Sequence, residues 1–239
     1  MRTKLRPLLI SSILLIGLLV GGCGRVEPGI ADPIPATANT DITSSTTDAQ
    51  AQNPNMSGMG KMKFPAPKDI KFKDSLESNV NLPKAINELV FTNKDGTKIR
   101  MADYVGKKNV ILVFTEGFNG MICPFCQTQT SRLVANYEKF QQRDCEIIVV
   151  YPGPEEKLEE FIEAALKTEK EQVDDVPFPI ALDRDFRATD FFDIHSKHAH
   201  PSTYLIDKQG NVKFAYVGTD MTADRPSVKA LLNRLDNLK

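Results

Sequence analysis

Positive charge is not in surplus in this sequence: 30 Lys+Arg stand against 31 Asp+Glu in 239 residues, a formal net charge of −1. That balance leaves no electrostatic footprint for a polyanion, and no basic RNA-binding pattern is present, so nucleic acid is not an expected partner. Cysteine is sparse too. Cys23, Cys123, Cys126 and Cys145 are too few for a small scaffold held by many disulfides. Histidine is confined to His195, His198 and His200, and no internal repeat is evident. From Gly24 to about Lys63 large apolar residues are nearly missing, and Ala, Thr, Ser, Pro, Asp and Asn predominate. Such a stretch buries too little surface to offset its ordering entropy, and a disordered tether is expected. Its end-to-end distance would be about 35 Å for roughly forty residues.

What is present begins with a targeting pattern. Arg2, Lys4 and Arg6 precede an apolar run from Leu8 to Val20, broken only by Ser11, Ser12 and Gly17. The run is short for a spanning helix. It ends in Val20-Gly21-Gly22-Cys23, which resembles the bacterial lipobox. The resemblance implies a signal peptide over 1–22, cleavage before Cys23 and lipidation of Cys23, with several acyl chains holding the protein to a membrane. An ordinary secretory peptide or an uncleaved anchor is the plainer alternative. Gly24 is not Asp, so the familiar inner-membrane retention signal is missing. The expected location is the cell envelope, facing the periplasm, with the outer membrane favoured. Met56, Met59 and Met62 offer soft thioethers that suit Cu(I). No other ligand stands near them, and incidental linker composition explains them better.

The expected division is a lipidated Cys and tether over 23–64 and one folded domain over 65–239. Leu89 to Thr92 and Lys98 to Arg100, joined through Asp95-Gly96, read as a hairpin. Asn109 to Phe114 and Glu146 to Tyr151 are continuous apolar runs, the mark of strands buried on both faces. A helix is expected from Pro124, with Leu133, Val134, Tyr137 and Phe140 on one face. Pro154, Glu155 and Glu156 open another, its acidic run to Glu163 a solvated face. A short strand over Phe178 to Leu182 and a short helix from Asp183 to Phe192 follow. An antiparallel pair, Thr203 to Ile206 and Val212 to Val217, precedes a last helix carrying Val228, Leu231, Leu232 and Leu235. Alternation first and a hairpin last imply a mixed sheet covered on both faces.

Cys123-Pro124-Phe125-Cys126 follows a buried strand and opens a helix. Unpaired N–H groups and the helix dipole favour a thiolate at Cys123. Pro124 fits a first helical position. Cys126, one turn further and less exposed, is placed to resolve whatever Cys123 attacks. A structural zinc site would want a second Cys or His pair at matching spacing, and Cys145 stands alone. Cys145 reads as a small buried hydrophobe. Glu116 lies near the turn, either as a proton relay or as a plain loop charge.

These motifs resemble the thioredoxin-like superfamily, in its redoxin and peroxiredoxin-like branch (alkyl hydroperoxide reductase / thiol-specific antioxidant type), which includes membrane-anchored thiol-disulfide reductases. The resemblance runs from about Leu82 to Leu238. It rests on Asp95-Gly96, the Gly106 to Phe114 lead-in, the CPFC turn, Asp183 to Phe186, and His200-Pro201 through Asp207. It implies a three-layer α/β fold: a mixed central sheet, helices on both faces and an N-terminal β-hairpin extension. It also implies a cis Pro201 facing the cysteines, with Pro201 and His200 on the substrate side.

Three activities compete. The first is thiol-disulfide exchange with protein thiols or disulfides, fed by an electron-donating redox partner. The second is peroxide reduction with Cys123 peroxidatic and Cys126 resolving. The family's Pro-x-x-x-Thr-x-x-Cys pattern fails here, with Glu116 for Pro and Gly120 for Thr, and neither Arg184 nor Arg187 is assignable as its arginine. The third is copper handling by the cysteines with His195, His198 and His200. Exchange is the expectation, with no cofactor and no metal assigned.

Overall fold

The computed structural model describes residues 64–81, 86–167, 173–220 and 222–238. The leader, Cys23, the tether with Met56, Met59 and Met62, and Leu82 lie outside the described residues. Among the described residues no helix is long and apolar enough to cross a membrane.

Apolar runs with both faces covered become the central strands. Asn109–Phe114 (β3) and Cys145–Pro152 (β4) pair in parallel, with Ile111 opposite Ile147 and Val113 opposite Val149. Every residue of β4 is buried. The hairpin Val90–Asn93 (β1) and Lys98–Arg100 (β2) joins the sheet through Ile180–Asp183 (β5), and Ser202–Ile206 (β6) and Val212–Val217 (β7) close the other side. The seven strands run β2-β1-β5-β4-β3-β6-β7, and β3–β4 and β4–β5 are the parallel pairs.

Alternation along β3 divides the core. Ile111 and Val113 face a cluster built with Pro124–Val134 (α1), Tyr137–Gln141 (α2), Leu158–Leu166 (α3) and Val228–Asp236 (α5). Val110, Leu112 and Phe114 face the opposite cluster, which includes Phe91, Ile148, Val150 and Ala188 of Arg187–Phe191 (α4). Elements cover both faces, as the mixed sheet requires.

Two helices differ from their sequence expectation. The one starting at Pro124 stops at Val134 and resumes at Tyr137. Asn136 leaves the helical region, its side-chain amide donates to the Arg132 carbonyl at 2.9 Å, and Phe140 turns into the core at 0% exposure. The expected helix over Asp183 to Phe192 shrinks to α4. Asp183 ends β5, Phe186 is left-handed (φ +57°), and the Asp183 carboxylate accepts from the N–H groups of Ala188 and Thr189 at 3.0 and 2.9 Å.

Residues 64–81 form a strap across the same side as α1 and α5. Arg132 donates to the carbonyls of Pro67 and Ile70. Lys73 bridges Pro226. Asn79 donates its N–H to the Ala215 carbonyl at 3.0 Å and pairs through its amide with both backbone groups of Val217, so the outer edge of β7 has a partner.

Candidate active site

The thiols stand where the chain leaves β3, crosses residues 115–122 and enters α1. Gly117 makes that path possible. Its φ is +82°, and a Cβ there would lie 1.7 Å from the Pro152 carbonyl oxygen at the end of β4, so the loop presses on the sheet where no side chain fits. Phe118 and Ile122 close the loop by an isolated bridge. Cys123 is the N-cap of α1 with Pro124 behind it, and its Sγ accepts the Cys126 N–H at 3.4 Å.

Both sulfurs are free thiols and both are buried, Cys123 at 6% and Cys126 at 1% exposure. A buried cation lies beside them. The Arg225 guanidinium, 1% exposed, reaches Cys126 Sγ from Nη1 at 3.4 Å and from Nη2 at 3.5 Å, with Cys123 Sγ at 3.8 Å. Gln129 accepts from Nη1 at 2.9 Å, and the Thr222 carbonyl accepts from Nε at 3.0 Å. Cys126 also receives the Glu116 N–H at 3.4 Å.

These donors favour the deeper sulfur. Burial pushes the Cys126 thiol up, but the hydrogen bond with Cys123, the Arg225 charge and the Glu116 N–H outweigh it and bring it down to about 6. Cys123 moves the other way: its hydrogen bond with Cys126, then burial and the neighbouring charge, hold its proton on despite Arg225. The two titrate as a unit sharing one proton, with the charge resting on Cys126. The helix-terminus argument alone assigns that charge to Cys123. It omits the guanidinium, which lies closer to Cys126.

Glu116 is 7% exposed, and its carboxylate accepts from Asn119 at 3.3 Å. Glu116, Cys123 and Cys126 offer ligand atoms within 4.8 Å of one another, the group among the described residues dense enough to hold an ion. It does not fit one well. A fixed guanidinium charge 3.4 Å from Cys126 Sγ opposes a second cation on the same donors.

The histidines do not join this group. His195 stacks on Phe186 at 4.5 Å and sits 2.6 Å from the Asp190 carboxylate. His198 gives its carbonyl to the Ser196 N–H. The His200 Nδ1 is buried without a hydrogen-bond partner. A copper site shared by thiols and imidazoles therefore has no assembled ligand set among the described residues. Pro201 is buried just before β6, whose Ser202 lies opposite Phe114 at the end of β3, so it occupies the sheet end from which the cysteine loop departs. Cys145 is 0% exposed and burial pushes its thiol up, in keeping with a packing role.

Arg184 pairs with Glu155, and Arg187 is 88% exposed, so neither is the arginine of this centre. Arg225 was missed by sequence reasoning. It stands in Asp224-Arg225-Pro226-Ser227, a polar stretch ahead of a helix, with no periodicity or spacing to tie it to residues 99 positions away.

The AhpC/TSA family pattern matches residues 82–215, which leaves Arg225 beyond its end. The thiol-disulfide oxidoreductase ResA of Geobacillus thermodenitrificans is 30% identical over 133 residues, 55% of this chain and 67% of that protein. In fold, the chain is similar to the mitochondrial 2-Cys peroxiredoxin from Plasmodium falciparum (17% identity, TM-score 0.54, 66% of this chain and 94% of that one). It is also similar to a mutant peroxiredoxin 6 of Arenicola marina (16% identity, TM-score 0.56, 67% and 74%). At such identities these two structures establish the thioredoxin-like fold alone.

Proposed function

We propose that this chain, which belongs to the AhpC/TSA family and is an oxidoreductase, passes electrons by thiol-disulfide exchange at Cys123 and Cys126. The observation that carries this reading is one buried guanidinium serving two adjacent sulfurs, one of them the cap of a helix. Such a site keeps a negative charge ready inside the protein and confines it to the thiol pair.

In the reduced form Cys123 holds its proton toward the Cys126 thiolate. On attack, that proton passes to Cys126, Cys123 Sγ bonds to one sulfur of a substrate disulfide, and the other sulfur leaves as a thiolate. Cys126 then gives up the proton, with the Glu116 carboxylate as the nearby acceptor. Its sulfur attacks Cys123, the second substrate thiolate leaves, and a Cys123–Cys126 disulfide remains. Two electrons have passed to the substrate, and an external dithiol must return them. Because Arg225 stabilises the thiolate, and so the reduced form, it moves the centre toward the oxidising end of its class. Pro201 and His200, just before β6 and at the sheet end from which the cysteine loop departs, are assigned to the substrate side.

Peroxide reduction is the second reading, and Arg225 is the observation in its favour, since a guanidinium at the sulfur also suits a peroxide oxygen. There the Cys123 sulfur would take the terminal peroxide oxygen as a sulfenic acid, the O–O bond breaking and water or an alcohol leaving, and Cys126 would then displace a second water to form the same disulfide. Glu116 and Gly120, in place of the proline and threonine of that pattern, weigh against it. The test compares protein-disulfide reduction with peroxide consumption in the parent chain, Cys123→Ser and Cys126→Ser. Exchange predicts that either substitution abolishes catalytic disulfide turnover. Peroxide consumption in the parent chain that outpaces disulfide reduction, and is lost with Cys123→Ser, would overturn it.

The location is part of the proposal and rests on the sequence alone. Cys23 carries the lipid and holds the domain to a membrane of the cell envelope, facing the periplasm, so Cys23→Ser should abolish labelling by radioactive palmitate.

A further inference from the structure

The loop that carries Arg225 is fastened by groups that never touch the thiols. Asp224, 5% exposed, accepts from Lys73 Nζ at 2.5 Å, Tyr216 OH at 2.6 Å, Thr219 Oγ1 at 2.7 Å and the Thr219 N–H at 2.9 Å. Burial opposes its ionisation, and the bonds from Lys73, Tyr216 and Thr219 overcome it, holding the carboxyl well below the usual carboxylate range. The strap grips the same loop through its backbone. The Lys73 N–H donates to the Arg225 carbonyl at 2.8 Å, and the Ser227 N–H donates to the Lys73 carbonyl at 2.9 Å. Beneath, the loop runs so close to Gly218 that a Cβ there would lie 2.6 Å from the Asp224 carbonyl oxygen and 3.1 Å from that of Pro201.

Arg225 is thus pinned from both sides, by an anionic anchor one residue before it and by a backbone bridge on its own carbonyl. We infer that Asp224 and the backbone of Lys73 are positioning residues for Arg225, holding its guanidinium on Cys123 and Cys126. This rests on the reading of Arg225 as partner of the thiolate. It goes beyond that reading by giving the strap, which adjoins the expected tether, a direct part in setting the redox centre.

The sign of one substitution separates positioning from plain electrostatics. The charged and titratable groups acting on the sulfurs are Arg225, Glu116 and each other, and the Cys126 charge in turn bears on Tyr151 of β4. Those on Asp224 are Lys73 and Tyr216. Removing an anion near a thiolate through space lowers the thiol's pKa. Releasing the guanidinium raises it.

The experiment follows thiolate ultraviolet absorbance against pH in the reduced full chain, with a Cys123→Ser/Cys126→Ser variant as baseline and circular dichroism to confirm folding. Arg225→Met should move the first ionisation up toward the free-cysteine value of about 8.5. Asp224→Asn should move it up by about one unit, roughly tenfold less thiolate at fixed pH, and should add nothing in the Arg225→Met background. Lys73→Pro, which deletes both the N–H to the Arg225 carbonyl and the Nζ bond to Asp224 while the Asp224 carboxylate stays in place, carries the same expectation should Asp224→Asn not fold. An unmoved ionisation in Arg225→Met overturns the thiolate reading itself. A shift in Arg225→Met with none, or a downward one, in Asp224→Asn and Lys73→Pro overturns the positioning role alone.

Discussion

Arg225 holds a charge at 1% exposure and bonds to a sulfur that is a thiolate only in the reduced protein. That dependence gives the reduced form a pH profile. Cys126 lies at about 6 against an ordinary 9.0, a depressed value, so its contribution to stability is fully present above the ordinary value and is lost as pH falls through about 6. Thermal melts of the reduced chain should show Tm falling on acidification through that range, and the oxidised chain, with no thiolate to protonate, should lack this component. Arg225→Met should flatten the difference and slow alkylation at neutral pH by about tenfold or more. At this scale the sequence was legible where chemistry is local. Cys123, Pro124 and Cys126 announce themselves within one helical turn, and Cys145 reads as packing from its place in an apolar run. Arg225 and Gln129 meet the sulfurs through tertiary contacts, and nothing local distinguishes that arginine from a solvated one.

Between β3 and α1 the loop depends on a single backbone approach. Gly117→Ala would drive a Cβ to 1.7 Å from the Pro152 oxygen at a left-handed φ, so the loop or β4 must move. A loss of about 3 kcal/mol or more is expected, measured by denaturant unfolding, together with slowed exchange. Phe140→Ala, in α2, removes a fully buried ring from the core cluster and should cost about 3–5 kcal/mol in denaturant unfolding. Strands β3 and β4 were readable because burial on both faces imposes continuous apolar runs, and β6 and β7 because two short runs flank a turn at Asp207 to Gly210. The break at Ala135 and Asn136 was not, since Leu133, Val134, Tyr137 and Phe140 keep a helical period across it. Nor was the shortness of α4, which is set by the Asp183 carboxylate and a left-handed Phe186, features of backbone path rather than pattern.

Across the whole molecule the strap over 64–81 connects what the sheet leaves open. It meets α1 through Arg132, the Arg225 loop through Lys73, and the edge of β7 through Asn79. Its sequence carries little hydrophobic periodicity, which is why only the domain's approximate start was legible there. A chain begun at residue 82 should lose stability and expose the edge of β7, a template for strand pairing. Size-exclusion chromatography should then report self-association that the longer chain lacks. The central claim, that Cys123 and Cys126 form one reversible two-electron centre, is met most directly by redox equilibration of the full chain in glutathione buffers, read by mass spectrometry of trapped thiols. The predicted result is a single two-electron curve ending in a Cys123–Cys126 disulfide, whose potential falls with pH by about 59 mV per unit below about pH 6 and about 30 mV above it. Oxidation that ends in a sulfinic acid on Cys123, with no Cys123–Cys126 disulfide at any poise, would contradict it.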